Sequence, residues 1–325
     1  FPYTTRFRSQ GEFAAGSATF STTPALSDAL DTATFEQRLV LHDGELVTHY
    51  ADGVDVTVLG QRDSEVLGIH VEDARAGVTS ATLELSLWDV SGQGGSWKNV
   101  TTFADSAAIG LSRGQSEGNG FGYTLAATVE GAPFVSETVD ARTVRLTITP
   151  SSSYTIWLTP TSRLNAPGRD SVAAARAALG SVKQAGFEKT RVAYRDFWHE
   201  FWSRSFVQVS GNVDADYFQH FYYLATYVIA AGAYGDYPFH FINGVFRATE
   251  DQTKWSNAYW YWNQRDVYAS FLASNHPELM HGWNRMYSRN FEALLAYTVT
   301  RYGHDGLWIP ETMGWDGSAS GTVGS

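Results

Sequence analysis

The chain has 325 residues, 43% hydrophobic and 18% charged, a composition that suits folded domains and excludes disordered and collagen-like classes. Its formal charge of -11, with no basic run, argues against a nucleic-acid partner, because phosphate binding draws on clustered Lys and Arg. No stretch approaches the roughly 20 continuous apolar residues of a membrane-spanning helix, and the lack of cysteine removes disulfide and thiolate chemistry.

The opening "FPYTTRFRSQ" has no initiating Met and no basic head followed by an apolar core, so it does not read as a signal peptide. It resembles translated adapter sequence, and residues 1–10 are set aside from fold reasoning. The other end, "GWDGSASGTVGS", stops in a small-residue loop, so both ends read as cut.

From about Thr34 to Pro160 the chain follows the two-residue period of strands. Asp43-Gly44 and Asp52-Gly53 each sit between short β-rich runs, the local chemistry of tight hairpins. Leu83, Leu85 and Leu87 alternate in one run, and Val144, Leu146 and Ile148 in another, with no helical segment between them. This predicts an antiparallel β-sandwich over residues 11–162.

After Pro160 the pattern becomes helical. Ser171 to Ala185 is Ala-rich with Asp170 or Ser171 as N-cap, and Glu188 to Trp202 follows with Val192, Phe197, Phe201 and Trp202 at helical spacings. Residues 163–205 are therefore predicted as a helical linker. From Asp214 a long helix is apolar around most of its circumference, as for a helix buried between neighbours. An irregular stretch from Tyr234 to about Ser256 precedes a helix beginning near Ser256 or Asn257 and ending around Ala273. Loops of that length in compact domains are usually functional. A further helix is predicted from Pro277, with Glu278 in its first turn, to Gly303.

Eight of the 11 tryptophans lie between Trp198 and Trp315, most of them in or beside the predicted loops. A sugar presents C–H groups on its faces and hydroxyls on its rim, so its site needs flat aromatic platforms bordered by amides and carboxylates. "KWSNAYWYWNQRDVYASF" supplies both: Trp255, Tyr259, Trp260 and Trp262 beside Asn263 and Asp266, with Tyr259, Trp262, Asn263 and Asp266 on one face if the stretch is helical throughout. Similar groupings occur around His240 and Asn243 and around Trp308, Trp315 and Asp316. Such aromatic rows also serve as helix cores, and Arg265 with Asp266 also fits a structural ion pair.

Glu311, flanked by Trp308, Pro310 and Trp315, is expected to be partly desolvated, which raises a carboxyl pKa toward the range of a general acid; capping a helix or hydrogen-bonding a sugar hydroxyl are its other readings. His240 and His304 have no metal-ligand spacing, and Gly-x-Ser-x-Gly, Walker and dinucleotide fingerprints are absent, so neither metal nor cofactor is implied.

The order of a β-sandwich, a helical linker and helices containing "NGVF...KWSNAYWYWNQRDVYASFLASNHPEL" resembles glycoside hydrolase family 95, the inverting α-L-fucosidases and α-L-galactosidases. Asn243-Gly244 and Phe246 fall where that family has a Gln-Gly-x-Trp loop, Trp255 on its following Trp, Asn263 on the second residue of its Asn-x-Asn pair, and Asn275, Glu278 and Leu279 on its closing Asn-Leu-x-Glu-Leu. Tyr261 stands at the first asparagine, and Tyr268-Ala269 at the Tyr-Trp, which suggests a divergent group.

The resemblance implies that residues 206–325 begin an (α/α)6 toroid, with acid and base residues partly or wholly further along and their carboxyls roughly 6.5–9.5 Å apart. Asn263 and Glu311 would then serve catalysis, and His240, Asn243, Trp255, Tyr259, Trp260, Trp262, Asp266, Trp308 and Trp315 would bind a carbohydrate. The fragment alone is expected to be inactive. A toroid phosphorylase, a polysaccharide lyase and a non-catalytic carbohydrate-binding protein are the alternatives; a secreted or periplasmic location follows from the substrate class only.

Overall fold

The computed structural model describes residues 4–7, 11–14, 16–26, 35–61, 64–87, 100–114, 122–162, 170–239, 259–314 and 317. His240, Asn243, Trp255, Trp315 and Asp316 lie outside the described residues. The chain divides into two compact units, one comprising residues 1–3 and 15–201 and the other residues 4–14 and 202–325.

In chain order the strands are β1 (Thr4–Phe7), β2 (Gly11–Ala14), β3 (Ser17–Thr23), β4 (Glu36–Val40), β5 (Glu45–Tyr50), β6 (Val54–Gly60), β7 (Leu67–Asp73), β8 (Ser80–Ser86), β9 (Thr101–Ala104), β10 (Ile109–Gly114), β11 (Gly122–Glu130), β12 (Phe134–Asp140), β13 (Thr143–Ile148) and β14 (Ser153–Ser162). The helices that follow are α1 (Ser171–Ala185), α2 (Phe187–Ser203) and α3 (Ala215–Ala233). Then come β15 (Tyr259–Trp260), α4 (Tyr261–Ala273), a 3-10 turn (Pro277–Met280), α5 (His281–Arg289), α6 (Phe291–Tyr302) and β16 (Thr312–Met313). The architecture is an antiparallel β-sandwich followed by helices.

The first unit holds an eight-stranded sheet in the order β4-β5-β6-β7-β14-β11-β10-β9 and a four-stranded sheet in the order β12-β13-β8-β3. The alternating leucines and β-branched residues behave as their period predicts. Leu83, Leu85, Val144, Leu146 and Ile148 are all buried, and each such side chain contributes roughly 1.5–3 kcal/mol. Both expected hairpin turns form, with Gly44 and Gly53 at positive φ and their N–H groups closing onto Val40 and Tyr50.

Strands β11 and β14 are buried almost continuously because both faces of the larger sheet are covered. On one face Ala126 and Trp157 pack with Ala175, Leu179 and Val182 of α1 and with Phe187 of α2. Helix α1 starts and stops where its sequence signals lie: the Asp170 carboxylate accepts from the N–H groups of Val172 (2.9 Å) and Ala173 (3.2 Å), and Gly186 follows at φ 83.

Helix α2 is tied to the β4–β5 hairpin. The Glu45 carboxylate, 1% exposed, accepts bidentate bonds from Arg191 (2.8 and 3.0 Å) and Arg195 (2.7 and 2.7 Å). Gly44 packs directly against the Trp198 indole. Helices α1 and α2 thus form part of the sandwich unit.

Three helical expectations in the second unit need correction. Helix α3 is not enclosed: Tyr217, Phe218, Phe221 and Leu224 are exposed, and only Ala215, Ala230 and Ala233 are buried. Helix α4 begins at Tyr261 rather than near Ser256, because Tyr259 and Trp260 are extended and pair with Met313 and Thr312. The helix expected from Pro277 to Gly303 is three pieces, a 3-10 turn, α5 and α6. It breaks at Asn290, whose side-chain amide donates to the Met286 carbonyl instead of letting the axis run on.

Candidate active site

The β15–β16 ladder brings together two aromatic segments that are remote in sequence. Trp260 pairs with Thr312, and the Tyr261 N–H donates to the Glu311 carbonyl at 2.8 Å. That bond occupies one of the N–H groups a helix start leaves without an intrahelical acceptor, so Glu311 meets the first turn of α4 through its backbone.

Helix α4 buries Gln264, Tyr268 and Phe271, at spacings of four and three, and leaves Trp262 57% exposed with Asn263 half-buried and Asp266 exposed. An aromatic platform and an amide therefore stand at the accessible side of the helix start. Tyr259 does not share that face; it is buried in β15. Trp260 is half-buried beside it. Asp266 lies 3.9 Å from Arg265, a solvated pair.

The expected desolvation of Glu311 is not found. Its side chain is exposed, since the flanking Pro310 and Met313 turn inward while Glu311 turns out. Trp308 is engaged by α6: its ring stacks on Tyr297 (5.4 Å between centroids) and meets Tyr302 edge-on (5.8 Å), and its backbone N–H donates to the Thr298 hydroxyl at 2.9 Å.

Behind Tyr261 lies a ring cluster that sequence reasoning missed. Tyr261 packs on Trp283 (5.5 Å) and Tyr287 (5.8 Å), Trp283 on Tyr287 (5.1 Å), and Tyr268 on Trp283 (5.1 Å). The available signal was the four-residue spacing of Trp283 and Tyr287 in "HGWNRMYSR". The Tyr287 hydroxyl is buried without a hydrogen-bond partner among the described residues. Burial first, then the charges of Tyr261, Tyr259 and Glu311, push this phenol well up, so it stays a protonated donor. Tyr261, where the family 95 pattern has an asparagine, belongs to this cluster.

The entry to the stretch containing His240 and Asn243 is anchored on α4. The Phe239 N–H donates to the Tyr268 hydroxyl (2.9 Å), and the Gln264 amide donates to the Phe239 carbonyl (2.8 Å). The "NHPEL" segment is structural. Asn275 sits at φ 60 and donates to the Arg204 carbonyl, and Glu278 lies between His276 (3.0 Å) and Arg204 (3.3 Å). Arg285 and Arg289 of α5 face Asp236 at 3.4 and 3.6 Å. Among the described residues, no helix is long and apolar enough to cross a membrane.

No protein-family model matches the chain, and no curated protein matches it. Solved structures do. One, described as "Putative kojibiose phosphorylase from human microbiome", aligns over 99% of this chain with a TM-score of 0.64 at 15% identity. The chain spans 45% of that protein's length. At this identity the likeness speaks to fold, and it agrees with a β-sandwich followed by part of an α-toroid.

Proposed function

We propose that the chain belongs to a carbohydrate-active enzyme that cleaves a glycosidic bond, and that the start of α4 forms part of its sugar site. The observation that supports this most is local: the β15–β16 ladder sets Glu311 beside a helix start that holds out Trp262 and Asn263, with the Tyr287 hydroxyl in the ring cluster behind. In this reading Trp262, with Trp260, stacks on the apolar face of a sugar. Asn263 holds a sugar hydroxyl or the attacking water, and the exposed Glu311 carboxylate hydrogen-bonds the sugar in preference to acting as a desolvated acid. His240, Asn243, Trp255 and Trp315 complete the site in this proposal, and Asp266 and Trp308 border it.

Hydrolysis by single displacement, of the kind found in family 95, is the first reading. Phosphorolysis is the second, favoured by the description of the solved neighbour. The two differ in whether water or phosphate takes the glycosyl group. A phosphate site draws on uncommitted cations, whereas Arg285 and Arg289 face Asp236.

The test is to incubate the whole enzyme with kojibiose, other glucobioses and aryl α-L-fucosides, with and without inorganic phosphate, and to follow sugar binding to the chain itself by tryptophan fluorescence. Free sugar indicates hydrolysis, and sugar 1-phosphate indicates phosphorolysis. Sugar binding that is unchanged in Trp262→Ala, or absent in the wild type, overturns the site.

A further inference from the structure

The sandwich unit carries a cluster whose chemistry differs from that of the aromatic site. The turn between β4 and β5 presents His42 and Asp43, and the last turns of α2 present His199. One imidazole nitrogen from each histidine and a carboxylate oxygen of Asp43 all lie within 4.8 Å of one another. Both nitrogens converge on the same atom: Asp43 Oδ1 is 2.8 Å from His199 Nε2 and 3.4 Å from His42 Nδ1. The second oxygen, Oδ2, is left to Arg195 at 3.5 Å.

The backbone beneath these groups is held in place. Gly44, next to Asp43, packs directly on Trp198, next to His199, and Glu45 is clamped by Arg191 and Arg195. The backbone positions that carry the three groups can therefore part only by undocking the hairpin from α2. The side chains themselves remain reachable from solvent, at 66%, 24% and 43% exposure for His42, Asp43 and His199.

We propose that His42, Asp43 and His199 form a binding site for a divalent transition metal of the zinc, cobalt and nickel class, one that staples the β4–β5 hairpin to α2. Two imidazoles and one carboxylate suit these borderline ions, whereas Mg2+ and Ca2+ favour all-oxygen sets. In a tetrahedral site, bonds of roughly 2.0–2.2 Å set ligand atoms about 3.3–3.6 Å apart, so the 2.8 Å pair of Asp43 and His199 must open while the two imidazole nitrogens settle at that spacing. The two imidazoles, stacked at 4.1 Å with a 27° tilt, must fan apart around the ion, and the exposure of His42 permits that rotation. Water completes the coordination, and the role is structural.

Tag-free protein, stripped with a chelator, would be titrated with Co2+ and followed by its visible absorption, and with Zn2+ by calorimetry. One equivalent is expected to bind, with affinity reduced roughly tenfold or more in His42→Ala and in His199→Ala, and unchanged in His220→Ala on α3. Zn2+ should raise the melting temperature of the wild type but not of the His42→Ala, His199→Ala double variant, whose circular dichroism reports whether it is folded. Mg2+ and Ca2+ should do neither. Undiminished Co2+ and Zn2+ binding in both single variants, absence of binding to the wild type, or equal binding of Ca2+ overturns the proposal.

Discussion

The N–H of Tyr261 donates to the carbonyl of Glu311 at 2.8 Å, so the first residue of α4 is set by a strand that lies far downstream. Together with the β15–β16 pairs this bond joins two segments rich in rings and polar groups. It also separates Trp262, which faces solvent, from Tyr261, which faces the Trp283 and Tyr287 cluster.

Trp262→Ala should weaken sugar binding about five- to tenfold, the scale of one stacking contact. Stability should change by no more than about 0.5 kcal/mol, because the side chain is 57% exposed. Fluorescence titration with chemical denaturation checks both.

Tyr287→Phe removes a buried hydroxyl that has no partner among the described residues, so the protein should be equally stable or more stable by up to about 1 kcal/mol. If the phenol donates to a bound sugar, the same variant binds sugar less tightly. Opposite signs in the two measurements distinguish this from a packing defect.

Glu45→Ala should destabilise the first unit by roughly 2–4 kcal/mol, since it leaves two guanidinium groups without their shared carboxylate, although both remain partly solvated. Burial raises the Glu45 pKa, but the hydrogen bonds from Arg191 and Arg195 outweigh it and the net direction is down. The clamp is therefore present above the ordinary carboxylate range and is lost as pH falls through the lowered value. Urea unfolding across that range should show the loss in wild type and not in Glu45→Ala.

Gly44→Ala places a Cβ within 2.1 Å of the Trp198 indole nitrogen at a backbone φ of 72. Positive-φ strain and overpacking add, for a cost of about 3 kcal/mol or more, read as a lower melting temperature.

Asp105 is held at about 2, chiefly by the hydrogen bond from Arg176 at 2.6 Å, with help from the N–H groups of Ala107 and Ala108. Its folded value lies below the ordinary 3.8, so its contribution is complete above that value and disappears as the pH falls toward 2. Asp105→Asn keeps the oxygen acceptor and loses the charge. Its melting temperature should vary less with pH over that interval, by a small amount because the carboxylate is 46% exposed.

The β-sandwich was legible because hairpin turns and period-two burial are written locally, as at Gly44 and Leu83–Leu87. Helix α1 was legible to the residue, since Asp170 and Gly186 act within one turn of its ends. The start of α4 was not, because Tyr259 and Trp260 are extended only through a partner at Thr312 and Met313. The exposure of Glu311 was not legible for a related reason: aromatic neighbours in sequence do not by themselves bury a side chain, and here Pro310 and Met313 are buried while Glu311 is exposed.

The sequence by itself determined the layer types, the turns, the capped helices and the concentration of rings beside amides, all of which arise from interactions between residues a few positions apart. Tertiary structure alone decided which rings became platform and which became packing, that Tyr287 joins Tyr261, and that His199 meets Asp43. Those outcomes depend on which surfaces dock, and docking is set by the summed shape and burial of whole elements, which no local pattern records.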